Sequence, residues 1–372
     1  MNKAFISRLD SFMADRENLP VGGNALSVYL NGEVIYRKYT GFASGDTLWR
    51  VYSMTKPVTV TAALQLMEEG RFSLSDPLYA YLPEFEHMSV WSSDTQTAAP
   101  AKNAITILDL FRMTAGFTYD GEWGDVPRFV TRARAALEKE HPGESYTTRQ
   151  FVKALAGVPL AFEPGTHWNY SHCHDVLGAL IEAVSGRTLG EYMKERIFEP
   201  LGMKHTFFRC PDELRPFIAP HDATPEQDAK YSLSARYESG GGGLLSTLDD
   251  YMTFALTLTN GGLSPSGYRI LQPDTVNRMR TDRLTPVQKK DFNWDYLHGY
   301  SYGLGVRTMI DPAASGIPGN AGEFGWCGVL GTWVLMDPAE KLTAVYMHQR
   351  YPNLEKYVQL SLRPLIYGLI RS

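Results

Sequence analysis

The sequence predicts a mixed α/β (α+β) fold in which strands from both ends of the chain form one sheet flanked by helices. A hairpin pattern lies near the N-terminus at residues 25–40, helical patterns fill the middle of the chain, and two further strands lie near the C-terminus. We therefore expect a discontinuous sheet domain over residues 1–75 and 226–372, with a mainly helical domain inserted at residues 76–225. The length of 372 residues suits one large domain or two of ordinary size.

The first predicted elements are a helix and a hairpin. Residues 1–10 have the amphipathic pattern of a helix start. The dipeptide Asn31-Gly32 then stands between two short apolar runs, and Asn-Gly in that setting is the strongest local signal of a hairpin turn. The runs contain Val28 and Leu30 before the turn and Val34 and Tyr36 after it.

The next element is a helix that begins at or just after Ser53. Pro57 would damage the interior of a helix, but proline is tolerated in the first turn because the N–H groups there have no partner within the helix. An apolar helical run follows and ends at Gly70. Ser53 is therefore expected at a helix N-terminus, where free backbone N–H groups are available.

The remaining elements alternate between helices and loops rich in proline and glycine. A final helix is expected at about residues 353–371, with a kink at Pro364, after strands at 328–336 and 342–348. Helices are predicted before them at residues 105–113, 125–140, 147–156, 174–185, 189–198 and 246–259.

The composition narrows the class of protein. The net charge of -5 and the absence of long single-sign blocks disfavour nucleic-acid binding. No stretch approaches the roughly 20 apolar residues that span a bilayer, and the N-terminus lacks a signal-peptide pattern. Three scattered cysteines do not make a disulfide framework. We therefore expect a cytoplasmic protein that binds a small molecule rather than a nucleic acid or a membrane.

The residue pair most suggestive of chemistry is Ser53 and Lys56. A serine hydroxyl is a weak nucleophile that needs a base, and a lysine three residues later lies on the same face of a helix. The helix N-terminus also favours developing negative charge. Taken alone the pair is a weak signal, because serine commonly caps helices without any catalytic role.

Two further segments carry candidate residues. Tyr170 follows a turn-rich stretch and precedes a helix, so its hydroxyl can project into a cleft, where a nearby ammonium would favour the phenolate. Residues 325–329 lie at the start of the C-terminal strand pair, and small residues there let a substrate approach the strand edge. His167, His172, Cys173 and His174 do not follow a zinc spacing, so we expect neither a metal nor another cofactor.

Together these segments resemble the motifs of the serine β-lactamase superfamily, in particular class C β-lactamases, D-alanyl-D-alanine carboxypeptidases and family VIII carboxylesterases. Ser53 and Lys56 match the Ser-x-x-Lys motif, and Tyr170 opens a Tyr-x-Asn motif in which His172 replaces the asparagine. Trp326–Gly328 takes the place of Lys-Thr-Gly and is similar to the Trp-Gly-Gly variant of the esterases. The resemblance extends to the intervals between the motifs and to the connecting segments 110–116, 201–203, 242–247 and 302–305.

The resemblance implies an antiparallel sheet of the β-lactamase/transpeptidase type and a role for each motif. Ser53 would be acylated, and Lys56 and Tyr170 would share the general-base task as a coupled pair. The backbone N–H groups of Ser53 and Val329 would form the oxyanion hole.

The departures from the family pattern concern the substrate. Trp326 and Cys327 replace a cation and a hydroxyl that lie near the substrate carboxylate in β-lactamases, which favours uncharged, apolar esters. Trp326, Gly328 and Tyr119 are candidates for substrate contact. His172 either contacts substrate or changes the pH profile, because its side chain titrates near neutrality.

The favoured hypothesis is a carboxylesterase that forms an acyl-enzyme at Ser53 on small apolar esters. A D-amino-acid amidase or peptidase, a weak β-lactamase and an acyltransferase would use the same residues and remain alternatives. A hypothesis from another class is a catalytically silent, penicillin-binding-like sensor domain. The intact set of Ser53, Lys56 and Tyr170 disfavours a silent domain.

Overall fold

The computed structural model describes residues 3–17, 21–142, 145–222, 236–353 and 355–371. A seven-stranded antiparallel sheet forms its centre, in the order β2-β1-β11-β10-β9-β8-β7. The strands are β1 (Gly23–Leu30), β2 (Glu33–Gly41), β3 (Trp49–Arg50), β4 (Ser89–Ser92), β5 (Thr97–Pro100), β6 (Leu245–Ser246), β7 (Tyr300–Tyr302), β8 (Arg307–Met309), β9 (Phe324–Cys327), β10 (Trp333–Asp337) and β11 (Leu342–Met347).

The sheet joins the two ends of the chain, as the sequence predicts. Strand β1 pairs antiparallel with β11, so that Ala25 lies opposite Met347 and Leu30 lies opposite Leu342. The fold class is therefore confirmed. The division into two domains stays a prediction, and its boundary near residue 225 lies outside the described residues.

The hairpin turn between β1 and β2 has the predicted form. Asn31 and Gly32 have φ values of 52° and 83°, which is the left-handed conformation that a two-residue type I′ turn requires. Leu30 then pairs with Glu33, and the register shifts once along the ladder, between Val28 and Tyr29.

The helices occupy the middle of the chain and its two ends. They agree with the predicted segments to within a few residues at most boundaries. The helices are α1 (Lys3–Glu17), α2 (Thr55–Glu68), α3 (Ile107–Phe111), α4 (Asp125–Glu140), α5 (Thr148–Ala156), α6 (Cys173–Ser185), α7 (Leu189–Met193), α8 (Glu199–Leu201), α9 (Leu248–Thr259), α10 (Pro273–Met279), α11 (Pro312–Ser315), α12 (Glu355–Tyr357) and α13 (Arg363–Ile370).

Two π-helical turns interrupt this pattern. One, Lys194–Phe198, continues α7 into α8, and the other, Val358–Leu362, joins α12 to α13. Pro364 follows the second turn inside one continuous helical run, residues 355–370, where it cannot donate a backbone N–H. The predicted disturbance at Pro364 is therefore a wider turn placed just before the proline.

The predicted strand at residues 328–336 is wrong in its first part. The strand begins only at Trp333, and the preceding residues form a tight turn in which the Gly328 N–H donates to the Thr332 carbonyl at 2.7 Å. Gly331 has a φ of 101°, a conformation that breaks a strand and favours glycine. The sequence analysis also missed β7, β8 and β9, since each spans only three or four residues.

Both faces of the sheet are buried. On one face, Leu26 and Val28 pack with residues of α1 and α13; on the other, Ala25 joins the larger core that contains α2 and α9. This alternation is the period of two expected for a strand covered on both sides. Among the described helices, none is long and apolar enough to cross a membrane.

We predict that Leu335→Ala destabilises the protein by about 2–5 kcal/mol, because Leu335 is wholly buried in the sheet and its removal leaves a cavity. Urea unfolding followed by circular dichroism measures this. The control is Val34→Ala in the first hairpin, where the side chain is 50% exposed and the expected change is within about 0.5 kcal/mol. Equal effects of the two changes would contradict the packing described.

Candidate active site

Ser53 lies in a short 3-10 turn, Tyr52–Met54, immediately before α2. Tyr52 has a φ of 43°, a left-handed conformation that a bulky residue adopts only under constraint from its surroundings. The turn presents the half-buried Ser53 at the helix N-terminus, as the sequence predicts. A helix start in this position directs unpaired backbone N–H groups toward any charge that develops at the serine.

Lys56 is wholly buried beside the serine. Its Nζ donates to Ser53 Oγ at 3.0 Å and to the carbonyl oxygen of Gly241 at 2.6 Å. The second bond requires a close backbone approach, since a Cβ at Gly241 would lie 2.9 Å from the Asp175 carboxylate. The glycine run that precedes α9 therefore supplies one of the lysine's acceptors.

Tyr170 completes a hydrogen-bonded group around the serine. Its hydroxyl is hydrogen-bonded to Ser53 and accepts the indole N–H of Trp326 at 3.1 Å. The Lys56 Nζ lies 4.6 Å from the centre of the Tyr170 ring. Burial raises the pKa of Tyr170, and although the bonds with Ser53 and Trp326 act in the opposite direction, the pKa stays above its usual range. Tyr170 is therefore a neutral phenol at neutral pH.

The turn that carries Val329 is attached to the turn that carries Ser53. The Thr332 hydroxyl donates to the Val51 carbonyl at 3.1 Å. A Cβ at Gly328 would lie 2.6 Å from the same carbonyl oxygen, so the two turns meet as closely as glycine allows. Val329 and Ser53 both line the same small cavity, and an oxyanion hole formed by their backbone N–H groups stays a prediction.

The cavity has a volume of about 120 Å³. It brings together five residues proposed from the sequence, namely Ser53, Tyr170, Trp326, Gly328 and Val329. The other lining residues are Trp294, Cys327, Asn353 and Glu355. Sequence reasoning missed Trp294, Asn353 and Glu355 because they belong to no motif and no local sequence pattern indicates their contact with the cavity.

The wall of the cavity is aromatic. The Trp326 ring packs 5.5 Å from Tyr170, 5.2 Å from Tyr302 and 6.1 Å from Trp294, measured between ring centres. Among the described residues that line the cavity, none is lysine or arginine. An apolar wall of this kind binds hydrocarbon groups and provides no counter-ion for a carboxylate.

Tyr119 and His172 lie behind the cavity and do not line it. The Tyr119 ring packs 5.4 Å from Tyr170 and 4.5 Å from His172, measured between ring centres. His172 is wholly buried, with Nδ1 at 2.7 Å from Asp175 and Nε2 at 3.2 Å from Asp120. Substrate contact by either residue stays a prediction, and this geometry gives both a supporting position.

Asp175 connects His172 to the lysine. Burial acts to raise the pKa of Asp175, but hydrogen bonds from His172, Ser239 and Tyr237 outweigh it and hold the pKa below its usual range. The same carboxylate accepts the Gly241 N–H at 3.3 Å. His172 and Asp175 thus fix the backbone segment whose carbonyl binds Lys56.

Cys327 has the environment of an inert thiol. It is buried, and burial together with the nearby Glu355 carboxylate raises the pKa of its thiol well above the usual value. Among the described residues, no group of three or more histidine, cysteine, aspartate or glutamate side chains could hold a metal ion.

The fold and this group of side chains define a serine hydrolase of the Ser-x-x-Lys type. A family model described as Beta-lactamase matches residues 9–363, and the chain belongs to the β-lactamase family of serine hydrolases. The family resemblance stated from the motifs is therefore confirmed.

Three similar proteins illustrate the range of this family. An uncharacterized protein of Mycobacterium tuberculosis is 34% identical over 325 residues, which cover 83% of this chain and 79% of that protein. Esterase EstB of Burkholderia gladioli is 27% identical over 401 residues, covering 97% and 95%. The solved structure of EstCE1, a hydrolase with promiscuous acyltransferase activity, has the same fold, with a TM-score of 0.79, 24% identity and 98% coverage of both chains.

We predict that Trp326→Phe lowers kcat for ester hydrolysis by about fivefold with little change in KM. The substitution keeps an aromatic ring in the wall but removes the N–H that donates to Tyr170, a bond worth about 1 kcal/mol. Steady-state kinetics at pH 7.5 measure kcat and KM separately. Trp91→Phe, on the distant strand β4, serves as control; an unchanged kcat in Trp326→Phe would contradict the role of the indole.

We predict that Asp175→Asn lowers the free energy of unfolding at pH 7 by about 2 kcal/mol or more, since it leaves buried donors without their ionised partner. A depressed folded-state pKa stabilises the fold above the unfolded-state value of about 3.9, and the stabilisation is lost as pH falls below it. The difference from wild type should therefore be constant above about pH 5 and shrink below about pH 4. Denaturant unfolding at each pH tests this, and a difference independent of pH would contradict it.

Proposed function

We propose that the chain is a carboxylesterase that acts on small apolar esters through an acyl-enzyme at Ser53. The observation that carries the proposal is the hydrogen-bonded group of Ser53, Lys56 and Tyr170 at an aromatic cavity whose described lining has no cation. The similarity to Esterase EstB supports it. The absence of a counter-ion for a substrate carboxylate disfavours β-lactams and D-peptides as preferred substrates.

The acylation step follows from the geometry of the proposed catalytic group. Ser53 Oγ attacks the ester carbonyl carbon while its proton passes to Lys56, which acts as the neutral amine, either directly or through the Tyr170 hydroxyl. The carbonyl oxygen takes the negative charge and binds the backbone N–H groups of Ser53 and Val329. The pair then protonates the leaving alcohol, and the carbon–oxygen bond to that alcohol breaks.

Deacylation uses the same groups in reverse. A water molecule attacks the acyl carbonyl, gives a proton to the Lys56–Tyr170 pair and displaces Ser53, which recovers its hydroxyl proton. Because Tyr170 is a neutral phenol in the resting state, its hydroxyl passes protons within this pair and does not provide a standing phenolate. We assign the two residues jointly for this reason.

We also propose that the protein acts in the cytoplasm. Its three cysteines are unpaired and buried, which is typical of a reducing compartment.

We predict that Ser53→Ala lowers kcat/KM for p-nitrophenyl butyrate by at least about 10³-fold while the protein stays folded. The loss follows because no acyl-enzyme can form without Oγ. Ser11→Ala, on the exposed side of α1, is the matched control and should keep full activity.

Labelling with a fluorophosphonate, read by intact mass, separates the alternatives. Wild type should gain one adduct and Ser53→Ala none. A fully active Ser53→Ala variant would overturn the proposal, and a wild type that neither labels nor hydrolyses esters would favour a silent binding domain.

A further inference from the structure

The catalytic cavity is bounded on one side by Asn353 and Glu355, at the start of α12. Asn353 Nδ2 donates to the Gly328 carbonyl at 3.3 Å, and Asn353 Oδ1 accepts the Glu355 N–H at 3.2 Å. The helix start is thus attached to the same turn that carries Val329. Glu355 is half-buried, and it is the only acidic residue among those that line the described cavity.

The carboxylate of Glu355 lies near two polar side chains, the Tyr296 hydroxyl and the Cys327 thiol. Burial, together with this carboxylate, raises the pKa of both groups, so both keep their protons. Neither neighbour carries a positive charge, so neither offsets the charge of the carboxylate.

Glu355 also borders a second, outer pocket. This pocket has a volume of about 500 Å³ and shares Asn353 and Glu355 with the catalytic cavity. A substrate larger than the inner cavity of about 120 Å³ would therefore pass Glu355 on its way outward.

The cations near Glu355 either have another partner or are buried. Its carboxylate is therefore available to a substrate. Lys356, in the outer pocket, is paired with Asp295 at 2.5 Å. Arg307 is wholly buried behind the wall and donates to the Val334 carbonyl, and Lys56 lies buried beneath Ser53. The charged side chain exposed on the shared boundary of the two pockets is thus an anion.

We propose that Glu355 is a specificity-determining residue that selects esters carrying an ammonium group a few atoms from the scissile bond and rejects esters carrying a carboxylate there. This inference rests on the proposed esterase function and refines it. The substrate is apolar where it meets the aromatic wall and cationic where it passes Glu355. An ammonium at this point is attracted by the carboxylate of Glu355, whereas a carboxylate meets a like charge.

Two pairs of isosteric esters test the proposal, one for each side of the scissile bond. The first pair is butyrylcholine and 3,3-dimethylbutyl butyrate, which differ only in a quaternary nitrogen or carbon. The second pair is the p-nitrophenyl esters of 4-(trimethylammonio)butanoate and 5,5-dimethylhexanoate. Wild type should prefer the cationic member of at least one pair by about tenfold in kcat/KM.

Glu355→Gln should bring that preference to near unity, mostly through a higher KM for the cationic ester. Glu355→Asp retains the charge and should retain much of the preference. Glu33→Gln, an exposed position in the first hairpin, is the matched control and should behave as wild type.

The outcomes separate this inference from the proposed function. A wild type that hydrolyses the neutral esters through Ser53 but shows no preference in either pair would overturn the inference alone. A preference that persists in Glu355→Gln would also overturn it. Loss of all ester hydrolysis in wild type would instead contradict the proposed function.

Discussion

The site depends on a buried lysine. Lys56 is wholly buried, and a charge in that position is costly unless polar groups surround it. The chain provides the Ser53 hydroxyl and the Gly241 carbonyl as acceptors, with the face of the Tyr170 ring at 4.6 Å. These are dipoles and a ring quadrupole, so they accept the charge without the fixed counter-ion that would hold the lysine permanently protonated.

Much of the surrounding structure positions the groups that bind Lys56. The Gly241 carbonyl reaches the lysine only because a glycine allows the backbone to lie against Asp175. Asp175 in turn accepts hydrogen bonds from the side chains of His172, Ser239 and Tyr237 and from the Gly241 N–H. A histidine in place of the family's asparagine therefore has an explanation in packing. Its ring bridges two carboxylates behind the cavity, which the shorter amide side chain would not reach in the same way.

Features encoded in adjacent residues could be predicted, and features that depend on distant contacts could not. The Asn31-Gly32 turn and the helix start at Ser53 follow from local backbone preferences. The three-residue interval from Ser53 to Lys56 brings the two side chains together because a helical turn does so. By contrast, Glu355 enters the cavity because the last helix packs beside the Gly328 turn, and no local pattern records that contact. The apolar residues at 328–332 predict a strand, but Gly331 adopts a left-handed conformation that the apolar pattern does not indicate.

Trp326 shows how one substitution alters both recognition and proton transfer. A lysine at this position, as in the Lys-Thr-Gly motif of the β-lactamases, would place a charge near the substrate and near the tyrosine. The indole N–H keeps a donor on Tyr170 but removes the charge, so burial dominates and the phenol remains protonated. Once Lys56 holds the serine proton, its ammonium is the cation beside Tyr170 within the described site. Electrostatic stabilisation of a transient phenolate must come from the same residue that bonds the nucleophile, which makes the two groups a single acid–base unit.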